Sequence, residues 1–410
     1  MKKDLLIKTD LRTQVLAACR SLLSEINRDP ASPTCGCFDR RYWAWKTIDF
    51  PEATFQRNLS ALAWLAGQPE GRDSQAFLTE TVKQGLLYTC RIQHKNGSFD
   101  QAYPHEQSYG ATAFLLPDLL DAYLPIREQC TQAQQAQIEE MLSRSAAFLH
   151  RRAELHGFIS NHLAGAALAL LKASVFFKKQ EYADKAHEIT ASILEKQSAE
   201  GWYVEYDGAD PGYQSLCMYY LAQIYQMAPS TELKTSLSAS LDFLQYFIHP
   251  DGTFGGEYGS RRTEVYYPGG IALLSGEFPA AEAISERMLA AIENGETVTL
   301  NDIDMGNTAP LLNSTIKALD WRKSKVDFKL PYTQSAVYKD FCQAGLLVRS
   351  TAKYYCIVGD SNGGVLKIFR KKGTSGSIVL DDCGLIGITG RGELISTQVS
   401  DPDKRGKAEQ

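Results

Sequence analysis

Four stretches of this chain repeat one order of polar and apolar positions. Each has a glycine-centred turn, an aromatic residue, a polar run and then an apolar helix. The turns are Asn96-Gly97-Ser98-Phe99, His156-Gly157-Phe158, Glu200-Gly201-Trp202-Tyr203 and Asp251-Gly252-Thr253-Phe254. The apolar segments behind them are Tyr109–Leu116, Leu163–Phe177, Tyr213–Tyr225 and Pro268–Leu274. The glycines stand 60, 44 and 51 residues apart. Such spacings fit two helices plus loops and match no short solenoid repeat.

Between the turns the pattern changes period. Glu181–Lys196 carries Tyr182, Ala186, Ile189, Ile193 and Leu194 on one face and charges on the other, the mark of a half-exposed helix. Leu163–Phe177 is apolar nearly all round, as expected of a helix buried on both sides. Alternating buried and half-exposed helices joined by glycine turns describe a mainly α protein, an (α/α) toroid built as an incomplete or six-hairpin barrel. An upstream pair near Leu11–Ile26 and Phe55–Ala66 and a downstream helix near Thr308–Leu319 bring the count to about six hairpins. An open helical solenoid is the alternative.

Past Trp321 the period shortens. Ala344–Arg349, Tyr354–Val358, Val365–Phe369 and Ser377–Leu380 are short, rich in Val, Ile, Leu and Tyr, and divided by Gly, Ser, Asn and Asp. They read as antiparallel strands. The expected organisation is a toroid over residues 1–325 and a partial β-sandwich-like region over 338–400, with a frayed tail from Ser400 to Gln410. So few strands must pack on the toroid, dimerise or belong to a truncated domain; truncation is the favoured expectation.

The chain has 410 residues and 44% hydrophobic content, ordinary for a globular protein. Met1–Asp10 lacks the apolar run of a secretory signal, and no window reaches the ~20 apolar residues of a membrane span. Nine scattered cysteines and seven histidines, none spaced as a zinc site, imply neither a full disulfide framework nor a metal. The expectation is a cytoplasmic protein without cofactor, its oligomeric state open. A net charge of −5 argues against a nucleic-acid partner. An anionic substrate would need local cations, for which Arg40-Arg41, Arg151-Arg152 and Arg261-Arg262 are candidates, although such pairs are commonly solvated loop charges.

In a toroid the loops entering the inner helices gather at one end of the barrel. Those polar runs hold His105; Asn161 and His162; Glu205, Tyr206, Tyr213 and Gln214; and Tyr258 and Arg261. A set rich in Tyr, Asn, His and Arg suits β-elimination on a uronic acid. That reaction needs the sugar carboxylate neutralised, a base for the C5 proton and an acid for the leaving oxygen. Hydrolysis would instead use two flanking carboxyls, for which Glu205 with Asp207, or Asp251 with Glu257, are candidates. Several residues also have plainer roles. Asn161 stands before an apolar helix and would make a good N-cap, His162 would bond within the first turn, and some of the tyrosines on one helix are core.

The stretch Ile159-Ser160-Asn161-His162-Leu163-Ala164-Gly165 resembles the Asn-His pair heading an inner helix in heparinase II/III-like polysaccharide lyases and the related alginate lyases. Gly201-Trp202-Tyr203-Val204-Glu205-Tyr206-Asp207 through Gly212-Tyr213-Gln214-Ser215 is similar to their segment carrying the catalytic tyrosine. Glu257-Tyr258-Gly259-Ser260-Arg261 is similar to a further cleft loop. The resemblance implies a polysaccharide lyase acting on an acidic poly- or oligosaccharide. It implies Asn161 and His162 binding the substrate carboxylate and Tyr213 as base or acid; taken with the polar runs, the candidate catalytic residues are Tyr213, His162 and Tyr258, with Asn161, Arg261, Glu205, Tyr206, Gln214 and His105 binding substrate. The chain departs from that family in having no histidine after His249 and no export signal. Terpene cyclases share the toroid but need an Asp-rich motif or zinc, and Asp302-Ile303-Asp304 is too sparse. A glycoside hydrolase or a non-catalytic glycan-binding scaffold stands as the alternative function.

Overall fold

In a computed structural model, which describes residues 8–324, 327–360, 363–371, 378–382 and 386–396, the helical part is a ring of inner helices inside a ring of outer ones. In chain order the helices are α1 (Leu11–Glu25), α2 (Arg40–Trp43), α3 (Asn58–Ala66), α4 (Gln75–Ile92), α5 (Tyr109–Tyr123), α6 (Gln132–Arg151), α7 (Ser160–Phe177), α8 (Gln180–Glu195), α9 (Pro211–Met227), α10 (Thr231–Leu244), α11 (Pro268–Leu274), α12 (Pro279–Glu293) and α13 (Met305–Ala318). Helices α3, α5, α7, α9, α11 and α13 pack on one another in that order, and α13 returns to α3, so the inner ring closes. The outer helices α4, α6, α8, α10 and α12 each pair with the inner helix before them, and α1 lies against α3 and α13. This is the six-hairpin form of the expected toroid. One expected pairing changes: the hairpin partner of α3 is α4, and α1 fills the outer place beside α13.

Burial follows this arrangement. Nearly every residue of α5 and α9 is buried, whereas α8 buries one stripe, Tyr182, Ala186, Ile189, Thr190 and Ile193. The turns feeding the inner ring share one backbone shape. Gly97, Gly157, Gly201 and Gly252 have φ of 97°, 111°, 96° and 96°, the left-handed region that side chains disfavour. A Cβ at Gly97 or Gly201 would also lie 2.1 Å from a carbonyl oxygen of the neighbouring outer helix, at Arg144 or Ala239. Gly36, at φ 95° with Gln84 O 2.2 Å from a would-be Cβ, is a fifth copy of the turn.

Strands β1 (Ala336–Phe341), β2 (Leu346–Thr351), β3 (Tyr354–Gly359), β4 (Val365–Arg370) and β5 (Ile378–Asp382) form an antiparallel meander in sequence order. A two-stranded ribbon follows, β6 (Ile386–Ile388) with β7 (Leu394–Ser396). Strand β1, largely exposed, had no clear signal in the sequence. Ser377, placed in a strand by the sequence pattern, the N-terminal segment before residue 8 and the tail from Ser400 lie outside the described residues.

The five-stranded sheet packs on the toroid. Phe341 meets Phe243, Tyr246 and Phe247 at ring separations of 4.9–5.9 Å. Tyr355 donates its hydroxyl to the Tyr246 carbonyl, and Phe369 stacks on His249 at 4.6 Å. Glu200 accepts the Gln343 and Ala344 N–H groups. From the inner face of β4, buried Lys367 reaches Glu257 at 2.6 Å and Glu264 at 3.5 Å. The sheet thus backs the loop between Phe254 and Tyr266 that carries Arg261. Among the described residues no helix is long and apolar enough to cross a membrane.

Candidate active site

Three loops meet over the start of α7. Ser160 donates its N–H and hydroxyl to the Val204 carbonyl, Glu205 N–H bonds Gly208 O, and the Ser260 hydroxyl donates to Glu205 O at 2.6 Å. Asp210 caps α9: its carboxylate accepts the N–H of Tyr213 at 3.0 Å, Arg261 at 2.9 Å and Thr263 at 3.3 Å. Residues about fifty positions apart in sequence are therefore fixed relative to one another through backbone groups.

Above this framework lies a group of side chains. The Arg261 guanidinium sits 4.1 Å from the Tyr206 ring centre. Tyr206 makes edge contacts with Tyr213 at 5.8 Å and with His162 at 6.5 Å. His162 Nδ1 lies 2.7 Å from Glu154 Oε2 and its ring stands edge-on to Phe114 at 5.1 Å. Gly110 makes room for that ring, since a Cβ there would come within 2.7 Å of Nδ1. Asn161 lies beneath, its amide 2.6 Å from Glu205 Oε2 and its N–H bonded to Glu205 Oε1. Five non-glycine residues of these end loops, His105, Gln107, Tyr206, Asp207 and Arg262, hold positive φ between 54° and 66°. Strain of that kind collects at functional sites.

Of this group Glu154 alone lines a cleft of about 290 Å³, together with Asn96, Tyr103, Gln107, Tyr109 and Arg152. Electrostatics here are set mainly by burial. Burial raises the Tyr213 pKa, and Arg261 beside its hydroxyl offsets only part of that, with Asp210 and Glu205 adding to the rise. The net shift is upward because the ring is mostly desolvated. Burial also works to raise Glu154, but bonds from His162 and His156 hold its pKa at about 2. A carboxylate depressed from 4.5 to about 2 stabilises the fold above its unfolded value and loses that contribution as pH falls through its folded one. Thermal stability should therefore decline between pH 4.5 and about 2, and Glu154→Gln should flatten part of that limb in melts taken across the range.

Asn161, His162, Tyr206, Tyr213 and Arg261 are brought together. Asn161 is not an N-cap: it lies inside the first turn of α7, and its side chain is committed to Glu205. Four candidates, Tyr258, Gln214, Glu205 and His105, fall elsewhere. Tyr258 is buried against Phe247 with its hydroxyl on His249 Nε2 at 2.9 Å. It wedges the Arg261 loop against the sheet and does not face the cleft. Gln214 is buried with its amide on Gly201 O and the Ser240 hydroxyl, tying α9 to α10. Glu205 is fully buried under Asn161, out of reach of a bound sugar. The carboxyl pairs considered for hydrolysis are also committed: Asp251 holds Thr253 in the turn, and Glu257 is paired with Lys367.

His105 stands at the far rim, its N–H on Asp100. Among the described residues His94, Asp100 and His105 offer three ligand atoms within 4.8 Å of one another, a spacing that could hold a cation. Asp100 already accepts from His94 at 2.8 Å and from the Gln107 N–H at 2.9 Å, which accounts for it as a loop staple. Sequence reasoning missed Glu154 and Asp210, whereas Arg152, from one of the basic pairs it singled out, lines the cleft. Glu154 precedes His162 by eight residues, and only closure of the 152–158 loop makes them partners. The cysteines of the described residues are all free.

The fold is shared with solved enzymes. Xanthan lyase from Paenibacillus superposes with a TM-score of 0.59 at 13% identity, covering 88% of this chain and 38% of that one. Chondroitin AC lyase from Streptomyces coelicolor A3 gives 0.60 at 13%, covering 88% and 54%. The family 76 mannosidase Bt3792 from Bacteroides thetaiotaomicron gives 0.53 at 12%, covering 76% and 98%. The chain thus spans only 38–54% of the two lyases, and at these identities the likeness is one of fold. No curated protein sequence matches this chain significantly. Residues 75–280, the α4-to-α12 arc that holds every residue of the cluster, match the ulvan lyase N-terminal domain. With half its length so matched, the chain belongs to the ulvan lyase N-terminal domain family, one with a polysaccharide-lyase α/α toroid.

Proposed function

We propose that this protein is a polysaccharide lyase that breaks a uronate-containing glycan, ulvan being the first to test, by β-elimination. The observation carrying the reading is the cluster of His162, Tyr213 and Arg261 around Tyr206, at the loop end of a lyase toroid. Arg261 neutralises the uronate carboxylate, so that the C5 proton beside it becomes acidic. Glu154, held ionised, accepts a hydrogen bond from His162 Nδ1–H and so leaves Nε2 bare as the base. His162 removes the C5 proton, the electron pair forms the C4–C5 double bond, and the C4–O bond breaks. Tyr213, kept a neutral phenol by burial, donates its proton to the leaving oxygen. Tyr206 offers a ring face against which Arg261 is held in place. The resemblance of the Asn161-His162 segment to heparinase II/III-like lyases belongs to this reading, as does an acidic oligosaccharide as partner.

The test is a panel of ulvan, chondroitin, xanthan, alginate and heparan-type polymers, followed by the ultraviolet absorbance of the unsaturated product. Growth of that absorbance on one polymer is the expected result. New reducing ends without absorbance would replace the lyase with a hydrolase. Binding without turnover would leave a glycan-binding scaffold.

A further inference from the structure

We infer that the cleft beside Glu154 is a sugar subsite in its own right, built for a ring that carries an anionic group, with Arg152 as the residue that binds the anion. It holds the neighbour of the uronate that is cut; that placement rests on the lyase reading, whereas the binding itself does not.

Three donors of the cleft have no protein partner among the described residues. The first is the Tyr109 hydroxyl. The residue is only 6% exposed and lines the cleft, yet its hydroxyl makes no hydrogen bond. A buried polar group left in that state costs roughly 1–3 kcal/mol, and a ligand in the cleft can supply the missing acceptor. Burial, with Glu154 and Glu188 nearby, raises the Tyr109 pKa, so the phenol keeps its proton to donate. The second is the Gln107 amide. Its oxygen accepts from the Asn96 side chain at 2.7 Å, which leaves both protons of the NH₂ unused.

The third is Arg152. Its backbone N–H closes α6 on the Phe148 carbonyl, which fixes the root of the side chain. The guanidinium pairs with no carboxylate among the described residues, although two carboxylates line the same cleft. Both are committed elsewhere. Glu106 accepts the N–H groups of Gln101 and Ala102 at 2.8 and 2.7 Å. Glu154 binds His162, His156 and the Leu155 N–H. Arg152 is therefore open to an anion from outside, and its forked edge matches the paired oxygens of a carboxylate or a sulfate ester.

Shape and position agree with a sugar ring. Tyr103 is 54% exposed and offers an aromatic face for the apolar side of a ring, whose hydroxyls then reach the polar groups around it. A volume of about 290 Å³ lies at the lower end for small-molecule sites and suits a single ring rather than a chain. Glu154 closes the cleft on one side and holds His162 at 2.7 Å. A ring in the cleft thus lies one carboxylate away from the base that acts on the next ring.

Ligand-observed NMR titrations with methyl β-glucuronide, glucose 6-sulfate and neutral methyl β-glucoside test the site without turnover. At least one charged sugar should bind about 10-fold more tightly than the neutral one, the scale of a hydrogen-bonded charge pair. The stronger of the two charged arms tells carboxylate from sulfate ester. Arg152→Gln should abolish the advantage and Arg152→Lys restore only part of it. Tyr109→Phe should weaken the bound sugar about 3- to 10-fold, and Arg261→Gln should leave it bound. The Arg152 side chain is exposed, so its variants should melt like wild type. Charged sugars that bind no better than the neutral one, or binding kept in Arg152→Gln and lost in Arg261→Gln, would overturn the inference. On any polymer that is cut, Arg152→Gln should raise KM far more than it lowers kcat; an unchanged KM would detach the cleft from the reaction. If every polymer in the lyase panel is left uncut, the titrations still decide whether the cleft binds an anionic sugar.

Discussion

Tyr213→Phe is expected to lower turnover by roughly 10²–10⁴, the usual range for losing a general acid or base, while leaving the fold in place. The ring packs edge-on against Tyr206, and the backbone N–H is held by Asp210; phenylalanine retains both contacts. Only the hydroxyl and its approach to Arg261 are lost, about 1 kcal/mol of stability at most. The expected kinetic signature is a fall in kcat with little change in KM, because the proton is needed only as the C4–O bond breaks. Turnover assayed by product absorbance, with a thermal melt of the same sample, checks both halves. Wild-type turnover in Tyr213→Phe on a confirmed substrate would make Tyr213 a packing residue and pass the proton donation to another group. A neutral phenol fits the acid role better than the base role. Burial and the nearby carboxyls hold the pKa above 10 despite Arg261, and a base must begin without its proton.

The toroid was legible in the sequence because its repeat rests on local chemistry. The Gly97, Gly157, Gly201 and Gly252 turns need a left-handed backbone and, at 97 and 201, close approach to a neighbouring helix, so glycine marks them. The Gly36 turn uses the same geometry within Cys35-Gly36-Cys37-Phe38 but was overlooked. Its flanking cysteines, Cys35 and Cys37, are both buried and not joined by a disulfide. The closing of the ring by α1 and α13 depends on contacts nearly three hundred residues apart, which no periodicity reports.

The site was legible in part. The polar runs ahead of the inner helices did gather at one end, because every glycine turn delivers the chain to that rim. Residue type within a run, however, does not tell which side chain faces the cleft. Tyr258 and Tyr213 look alike in sequence, but one is claimed by His249 and the sheet, the other by Tyr206. Gln214 follows Tyr213 directly and so points about 100° away around α9, into the contact with α10. Glu154, Asp210 and Lys367 act through partners on other loops or on the sheet. Their parts follow from tertiary closure alone.

The same closure underlies the largest expected effect on stability, Asp118→Ala, which should cost about 3–5 kcal/mol. Within the inner ring Arg57, just before α3, places its Nε 2.6 Å from Asp118 of α5, and both side chains are almost completely buried. Its second contact is the Tyr220 hydroxyl of α9 at 3.1 Å, and its carbonyl accepts from Asn313 of α13. Burial works against the Arg57 charge, but Tyr220 and Asp118 outweigh it and keep the guanidinium protonated. Removing Asp118 would strand that charge without a counter-ion inside the ring. Replacing both partners by apolar groups of similar size, as in Arg57→Met with Asp118→Leu, should recover much of the loss, because no charge is then buried. Urea unfolding of the single and double variants measures the difference. A cost below about 1 kcal/mol for Asp118→Ala would mean that the guanidinium escapes to water and that the pair does not hold the ring. The pair also bears on the site. Arg57 lies over the Phe114 ring at 5.2 Å, and the same ring stands edge-on to His162 at 5.1 Å. Loosening Asp118 should therefore unsettle the proposed base, and Asp118→Ala should lower turnover even where the folded fraction remains high.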